Sequence, residues 1–268
     1  MARAKRHYLS GCAWHITHRC HKREFLLKFG RDRRRWLQWL FEARKRYHLC
    51  ILNYMVTSNH IHLLVMDRAE RQVIPRSMQL LAGRTGQEYN LRKNRKGAFW
   101  EDRYHATAVE TNEHLVRCIV YMDMNMVRAG AVAHPSEWNE SGYKEIQSPR
   151  YSYRLIDHQC LMDLLNMPTL EILQNSHRAW VEESLVGHSN LRDSTWTESI
   201  AVGSKSFVQG VKDQLQIRAK GRQILEREDD ECYLREQQTC IPVFEGENGT
   251  LGSDNLHFWN IYPNNPQG

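Results

Sequence analysis

Leu49-Cys-Ile-Leu-Asn-Tyr-Met-Val-Thr57 and His60-Ile-His-Leu-Leu-Val-Met66, joined by Ser58-Asn59, are the stretch that decides the fold. Both runs are rich in β-branched and large apolar side chains, and the pair between them is turn-prone, so the sequence predicts a β-hairpin. Residues two apart in a strand share a face, so His60 and His62 present both imidazoles on one side and Ile61 points to the other. Two imidazoles on one rigid element make half of a metal site. In a chain with 14 histidines such a pair is weak evidence by itself.

Upstream, Gly11 to Arg19 (GCAWHITHR) reads as a first strand, and Arg31 to Tyr47, with Trp36, Leu37, Trp39, Leu40 and Phe41 at helical spacing, as an amphipathic helix with a basic outer face. Downstream, a helix begins near Pro75 and runs past Leu91 into the basic loop Arg92 to Gly97; Tyr104 to Glu110 is a fourth strand. Thr111 is an N-cap for a helix from about Asn112 to Arg128, ended by Gly130. This order predicts an α+β fold: a ferredoxin-like (split βαβ) antiparallel sheet with helices on one face. Beyond Pro149, Leu161–Leu165, Thr169–Ser184 and Ser206–Leu225 read as helices, giving a C-terminal α-helical extension with negligible sheet. The division expected is a core domain over 1–148, the extension over 149–228, and over 229–268 an acidic, then Gly/Asn/Pro-rich tail that is disordered or loosely docked.

With 41% hydrophobic residues and no apolar run longer than a few residues, the sequence predicts no transmembrane segment; the basic Met1–His7 precedes no signal-like apolar core, and the expected location is the cytoplasm. The seven cysteines are scattered and form no CxxC pair, so they read as reduced structural thiols. His15, His18, Cys20 and His21 match no standard zinc spacing and read as a solvated strand end.

The net charge of +6 conceals an asymmetry: residues 1–100 carry +16 and residues 101–268 carry −10. Three basic runs, containing Arg33, Arg34, Arg35, then Arg44–Arg46, then Arg92, Lys93, Arg95 and Lys96, point to a polyanion partner and provide candidate phosphate contacts. Arg103 belongs with them, and Trp100, Tyr104 and Trp14 are candidates to stack on unpaired bases. On the predicted helix that follows the fourth strand, Tyr121 and Asn125 are four apart and share a face, so a phenol and an amide can meet at one point; from the pattern alone, Tyr121 reads equally as a core tyrosine.

Three blocks carry a resemblance. NYMVTSNHIHLLV (Asn53–Val65) resembles the HUH motif of single-tyrosine transposases, and FWEDRY (Phe99–Tyr104) and YMDMNMVRAG (Tyr121–Gly130) resemble the later blocks of the REP-associated tyrosine transposases. The likeness covers roughly residues 8–145. It implies His60, His62 and Asn125 as ligands of Mg²⁺ or Mn²⁺ and Tyr121 as the nucleophile. The implied activity is nicking and strand transfer of single-stranded DNA at short palindromic hairpins through a 5′-phosphotyrosine link, without a nucleotide cofactor, in either a monomer or a dimer. Met126 stands where related sequences often have proline. Two alternatives remain open at this point: a non-catalytic hairpin-binding regulator, and a metal-dependent nuclease that activates water.

Overall fold

The computed structural model describes residues 9–111, 113–149, 151–187, 193–219, 221–227 and 231–236. The hairpin forms as β2 (Cys50–Val56) and β3 (His60–Met66), closed by Thr57 N–H to the His60 carbonyl at 3.0 Å. β3 pairs antiparallel with β1 (Ala13–Arg19), and β1 with β4 (His105–Val109), giving the order β2-β3-β1-β4. α1 (Gly30–Tyr47) connects β1 to β2 and α2 (Val73–Arg92) connects β3 to β4, the split βαβ arrangement expected.

Register assigns the two faces. Thr17 lies opposite His62 and His15 opposite Leu64, so His15, Thr17, His60, His62 and Leu64 share one face, while Trp14, Ile16, His18, Ile61, Leu63 and Val65 share the other. The second face carries α1 and α2. His18 stacks on Trp100, whose Nε1–H donates to the Ala82 carbonyl in α2, and α1 lies along α2 with Trp36 and Leu40 buried. Ile61 and Leu63 are fully buried here, each contributing on the order of 1.5–3 kcal/mol.

The first face carries α3 (Glu113–Asp123), which is followed by α4 (Asn125–Arg128). Asn53 of β2 donates to Asp123, and His177 binds the second carboxylate oxygen at 2.8 Å, so a fully buried acid pins the end of α3 to the sheet and to α7 (Leu170–Val186). α1 and α2 thus share one face as expected, and the opposite face belongs to the helix that carries Tyr121.

The extension departs from the reading of its sequence. After α5 (Gly142–Gln147), which still falls in the expected core domain, it contains α6 (His158–Leu164), α7, α8 (Thr195–Glu198) and α9 (Lys205–Leu215), and also β5 (Ala201–Gly203) and β6 (Arg222–Glu226), with β7 (Cys232–Glu236) following in the expected tail. β5 pairs in parallel with β4, and the sheet continues β4-β5-β7-β6. Negligible sheet content is therefore incorrect. β4 would otherwise be an open edge with unpaired backbone groups, and three short strands cover it. They leave little trace in sequence: β5 is three small residues, and β6 is mostly exposed, without a clean alternation. The helix expected over Ser206–Leu225 ends at Leu215, because Gln216 (φ 46°) and Gly221 (φ 80°) take left-handed backbone conformations. Gly203 is imposed by close approach, since a Cβ there would lie 2.7 Å from that of Glu110.

The tail expected from residue 229 contributes β7; beyond Glu236 it lies outside the described residues. Among the described residues no helix is long and apolar enough to cross a membrane, and the six described cysteines are free thiols.

Candidate active site

The turn that closes the hairpin also orients the first histidine. The Thr57 hydroxyl donates to the His60 carbonyl at 2.8 Å, so its oxygen is an acceptor; it lies 2.9 Å from His60 Nδ1, and Asn59 Oδ1 lies 2.7 Å from the same nitrogen. Both neighbours accept, so Nδ1 carries the proton and Nε2 is the basic nitrogen. The run Thr57-Ser-Asn-His60 thus holds one imidazole by local contacts.

His62 is held from a distance. Its Nδ1 lies 2.9 Å from Nε2 of His15 on β1, the two rings are stacked at 5.1 Å, and His15 Nδ1 lies 2.8 Å from the Trp196 carbonyl in α8. Burial pushes His15 down to about 4, with the hydrogen bond to the Trp196 carbonyl opposing and His105 adding to the shift. Burial also holds His62 well below the ordinary imidazole value, helped by His60, His15 and Arg128. Both rings are neutral near pH 7. The Asn125 amide lies 3.1 Å from His62 Nε2, and its nitrogen and oxygen ends are interchangeable by a flip.

Tyr121 faces this group across the cleft. Its ring meets His62 edge-on at 6.0 Å and His15 at 6.2 Å, and rests against the Trp196 ring at 6.1 Å. The Arg128 guanidinium sits 4.3 Å from the tyrosine ring centroid and donates to the Tyr121 carbonyl at 2.6 Å. Desolvation lowers the Arg128 pKa, with contacts to Tyr121 opposing. The expected continuous helix is interrupted at Met124, yet Met124 keeps helical dihedrals and its N–H reaches the Val120 carbonyl, so the four-residue spacing still brings Tyr121 and Asn125 to one place. Met126 provides the N–H that proline lacks.

A cleft of about 920 Å³ opens here, lined by His60, His62, Tyr121 and Asn125 and by four arginines, Arg19, Arg23, Arg103 and Arg128. Of the DNA contacts expected from sequence, only Arg103 lines it. Arg33 binds Glu140 at 3.0 Å, Arg35 binds Glu88, Arg92 binds Asp32, and Arg95 bonds Asn90 and the Ala98 carbonyl. Arg34, Lys93 and Lys96 are exposed outside the cleft. Trp100 is spent on His18 and Ala82, Trp14 is buried, and Tyr104 lies edge-on to His18 beside a neighbouring groove. The zinc reading of His15, His18, Cys20 and His21 fails because strand alternation sends His15 and His18 to opposite faces; the solvated reading fails because both are buried. The sequence reading missed His15, Trp196, Arg19, Arg23 and Arg128. Arg128, seven residues after Tyr121 and so on the same helical face, was the one with a readable signal.

Residues 8–122 match the model of the family described as transposase, IS200-like. Over this segment the chain is similar to the IS200-like transposases. Two solved structures resemble the chain: a REP-associated tyrosine transposase bound to a REP hairpin (16% identity, 57% of this chain and 90% of that one, TM-score 0.46), and a putative transposase from Deinococcus radiodurans (17%, 44% and 92%, TM-score 0.32). Both likenesses are too distant to carry an argument. No curated protein matches the sequence. The family match stops at Met122, so Asn125, Arg128 and Trp196 reach the cleft from outside the matched segment.

Proposed function

We propose that the chain nicks and rejoins single-stranded DNA at short palindromic hairpins, with Tyr121 as nucleophile and a divalent cation, Mg²⁺ or Mn²⁺, held by His60, His62 and Asn125. The observation that carries this reading is the meeting, within one cleft, of a tyrosine ring 6.0 Å from His62, an amide 3.1 Å from the same imidazole and a guanidinium against the phenol ring. The donor set can hold a divalent cation with positions left for water and phosphate oxygens: both Nδ1 atoms are engaged, which commits Nε2 of each ring to the cleft, and the amide can turn its oxygen toward them. Among the described residues no group of three His, Cys, Asp or Glu is arranged to hold a metal ion, and the reading takes the Asn125 amide as the third ligand. When bound, the cation polarises the scissile phosphate and offsets charge gathering on its oxygens.

The chain's own residues supply the rest. Tyr121 Oη attacks phosphorus in line, losing its proton to solvent; the bond to the 3′-oxygen breaks and that oxygen takes up a proton. The products are a phosphotyrosine on the 5′ end and a 3′-hydroxyl. Attack by another 3′-hydroxyl reverses the step, so the phosphodiester is conserved without a nucleotide cofactor. Arg128 is placed to stabilise charge near the nucleophile, and Arg19, Arg23 and Arg103 to guide the strand.

Incubation with hairpin-bearing single-stranded DNA and Mn²⁺ should give an adduct that survives denaturing electrophoresis and disappears in Tyr121→Phe. DNA binding without any adduct would favour the non-catalytic reading. Cleavage that persists in Tyr121→Phe would favour activated water.

A further inference from the structure

The extension supplies a fixed acceptor to the centre of the site, and that acceptor dictates where a proton sits on His62, two hydrogen bonds away. A backbone carbonyl can only accept, so His15 Nδ1, 2.8 Å from the Trp196 oxygen, must carry a hydrogen. With His15 neutral in its fully buried setting, its Nε2 is a bare acceptor, and the 2.9 Å contact to His62 Nδ1 requires the proton to sit on His62. The neutral His62 is then left with its lone pair on Nε2, the atom 3.1 Å from Asn125. His60 reaches the same tautomer through Thr57 and Asn59, next to it in sequence. The two imidazoles are oriented alike, one by its own hairpin and the other by a carbonyl 134 positions further along the chain.

We infer that His15 is a positioning residue that transmits the Trp196 carbonyl to His62, so that the C-terminal extension completes the metal half of the site instead of being an appendage to it. The same short helix sets the nucleophile half, because the Trp196 ring rests against Tyr121 and the neighbouring Thr197 and Glu198 line the cleft. Glu198 is itself anchored to Arg235 of β7, so the strands that cover the β4 edge also hold α8 in place. Outer partners of ligating histidines fix tautomer and ring orientation, and their removal typically weakens metal binding or activity by roughly 10–100-fold.

The role of His15 as a metal-site support rests on the reading of His62 as a ligand; the tautomer does not, and is tested first. Long-range proton–nitrogen NMR of the metal-free, histidine-labelled protein should show His15 and His62 both as Nδ1–H tautomers, His62 being assigned by its loss in His62→Asn. A His62 signal of the Nε2–H form overturns the inference whatever the metal does. Mn²⁺ affinity is then read by electron paramagnetic resonance, with folding followed by thermal unfolding. His15→Phe should weaken Mn²⁺ binding by roughly 10–100-fold. His15→Gln, whose amide oxygen can accept from His62 Nδ1, should stay within a few-fold of wild type. Equal affinity in a folded His15→Phe overturns the inference; so does a folded His15→Gln that fails to rescue a folded, weakened His15→Phe. If wild type binds no Mn²⁺ that His62→Ala removes, the metal reading of the site fails, a result separate from the tautomer measured on the wild type.

Discussion

Two basic regions of the molecule invite opposite readings. The α1–α2 surface carries the arginine and lysine runs that dominate the first hundred residues, whereas the cleft lined by Tyr121 and His62 draws its four arginines singly from β1, the segment after it, the loop before β4 and α4. On the first surface the guanidinium groups are largely committed to Glu140, Glu88 and Asp32. In the cleft, arginines far apart in sequence converge beside Tyr121. A run of like charge therefore records where charge is dense, and its ion pairs decide whether that charge is available to a ligand.

Substitutions that separate structural from functional arginines can break this contrast. The largest effect is expected at Arg33, which is half-buried and paired with a buried Glu140: Arg33→Ala leaves that carboxylate with the more distant, exposed Arg34 at 3.8 Å and should cost roughly 3 kcal/mol in denaturant unfolding, while the folded fraction keeps its hairpin affinity. Arg128→Ala should do the reverse, lowering the rate of adduct formation by about 10²–10³-fold, the range for removing a preorganised donor, with a small change in hairpin affinity. Arg19→Ala and Arg23→Ala should each weaken DNA binding and reduce the slope of log affinity against log salt by about 0.7 per lost phosphate contact, measured by fluorescence anisotropy. The smallest effect belongs to Arg35→Ala, whose exposed pair with Glu88 is worth about 0.2–1 kcal/mol, and whose loss should leave the salt slope unchanged. A fall in that slope for Arg35→Ala as steep as for Arg19→Ala would erase the distinction between the two regions.

The same contrast explains what could be read from sequence. β2, β3 and α1 announce themselves through local periodicity, and His60 and His62 share a face because strand alternation requires it. Tyr121 and Asn125 are legible by helical spacing, even across the break at Met124. His15 is illegible as a partner of His62, since only the β1–β3 register brings them together, and Trp196 is more remote still, acting through a carbonyl that every residue possesses. The sheet strands of the extension escape notice because they are short and cover an edge instead of building a core. Local pattern specifies the scaffold; long-range hydrogen bonds between its pieces complete the site.

The central claim is that Tyr121 is the atom donor of a covalent bond to DNA. Proteolysis of the protein after reaction with a hairpin-bearing single strand and Mn²⁺, followed by mass spectrometry, tests it directly. The account predicts one modified peptide, containing Tyr121 and bearing a 5′-phosphorylated oligonucleotide through its phenolic oxygen. A cleaved strand with a free 5′-phosphate and an unmodified Tyr121 peptide, or a link through Tyr104 or another residue, would contradict it.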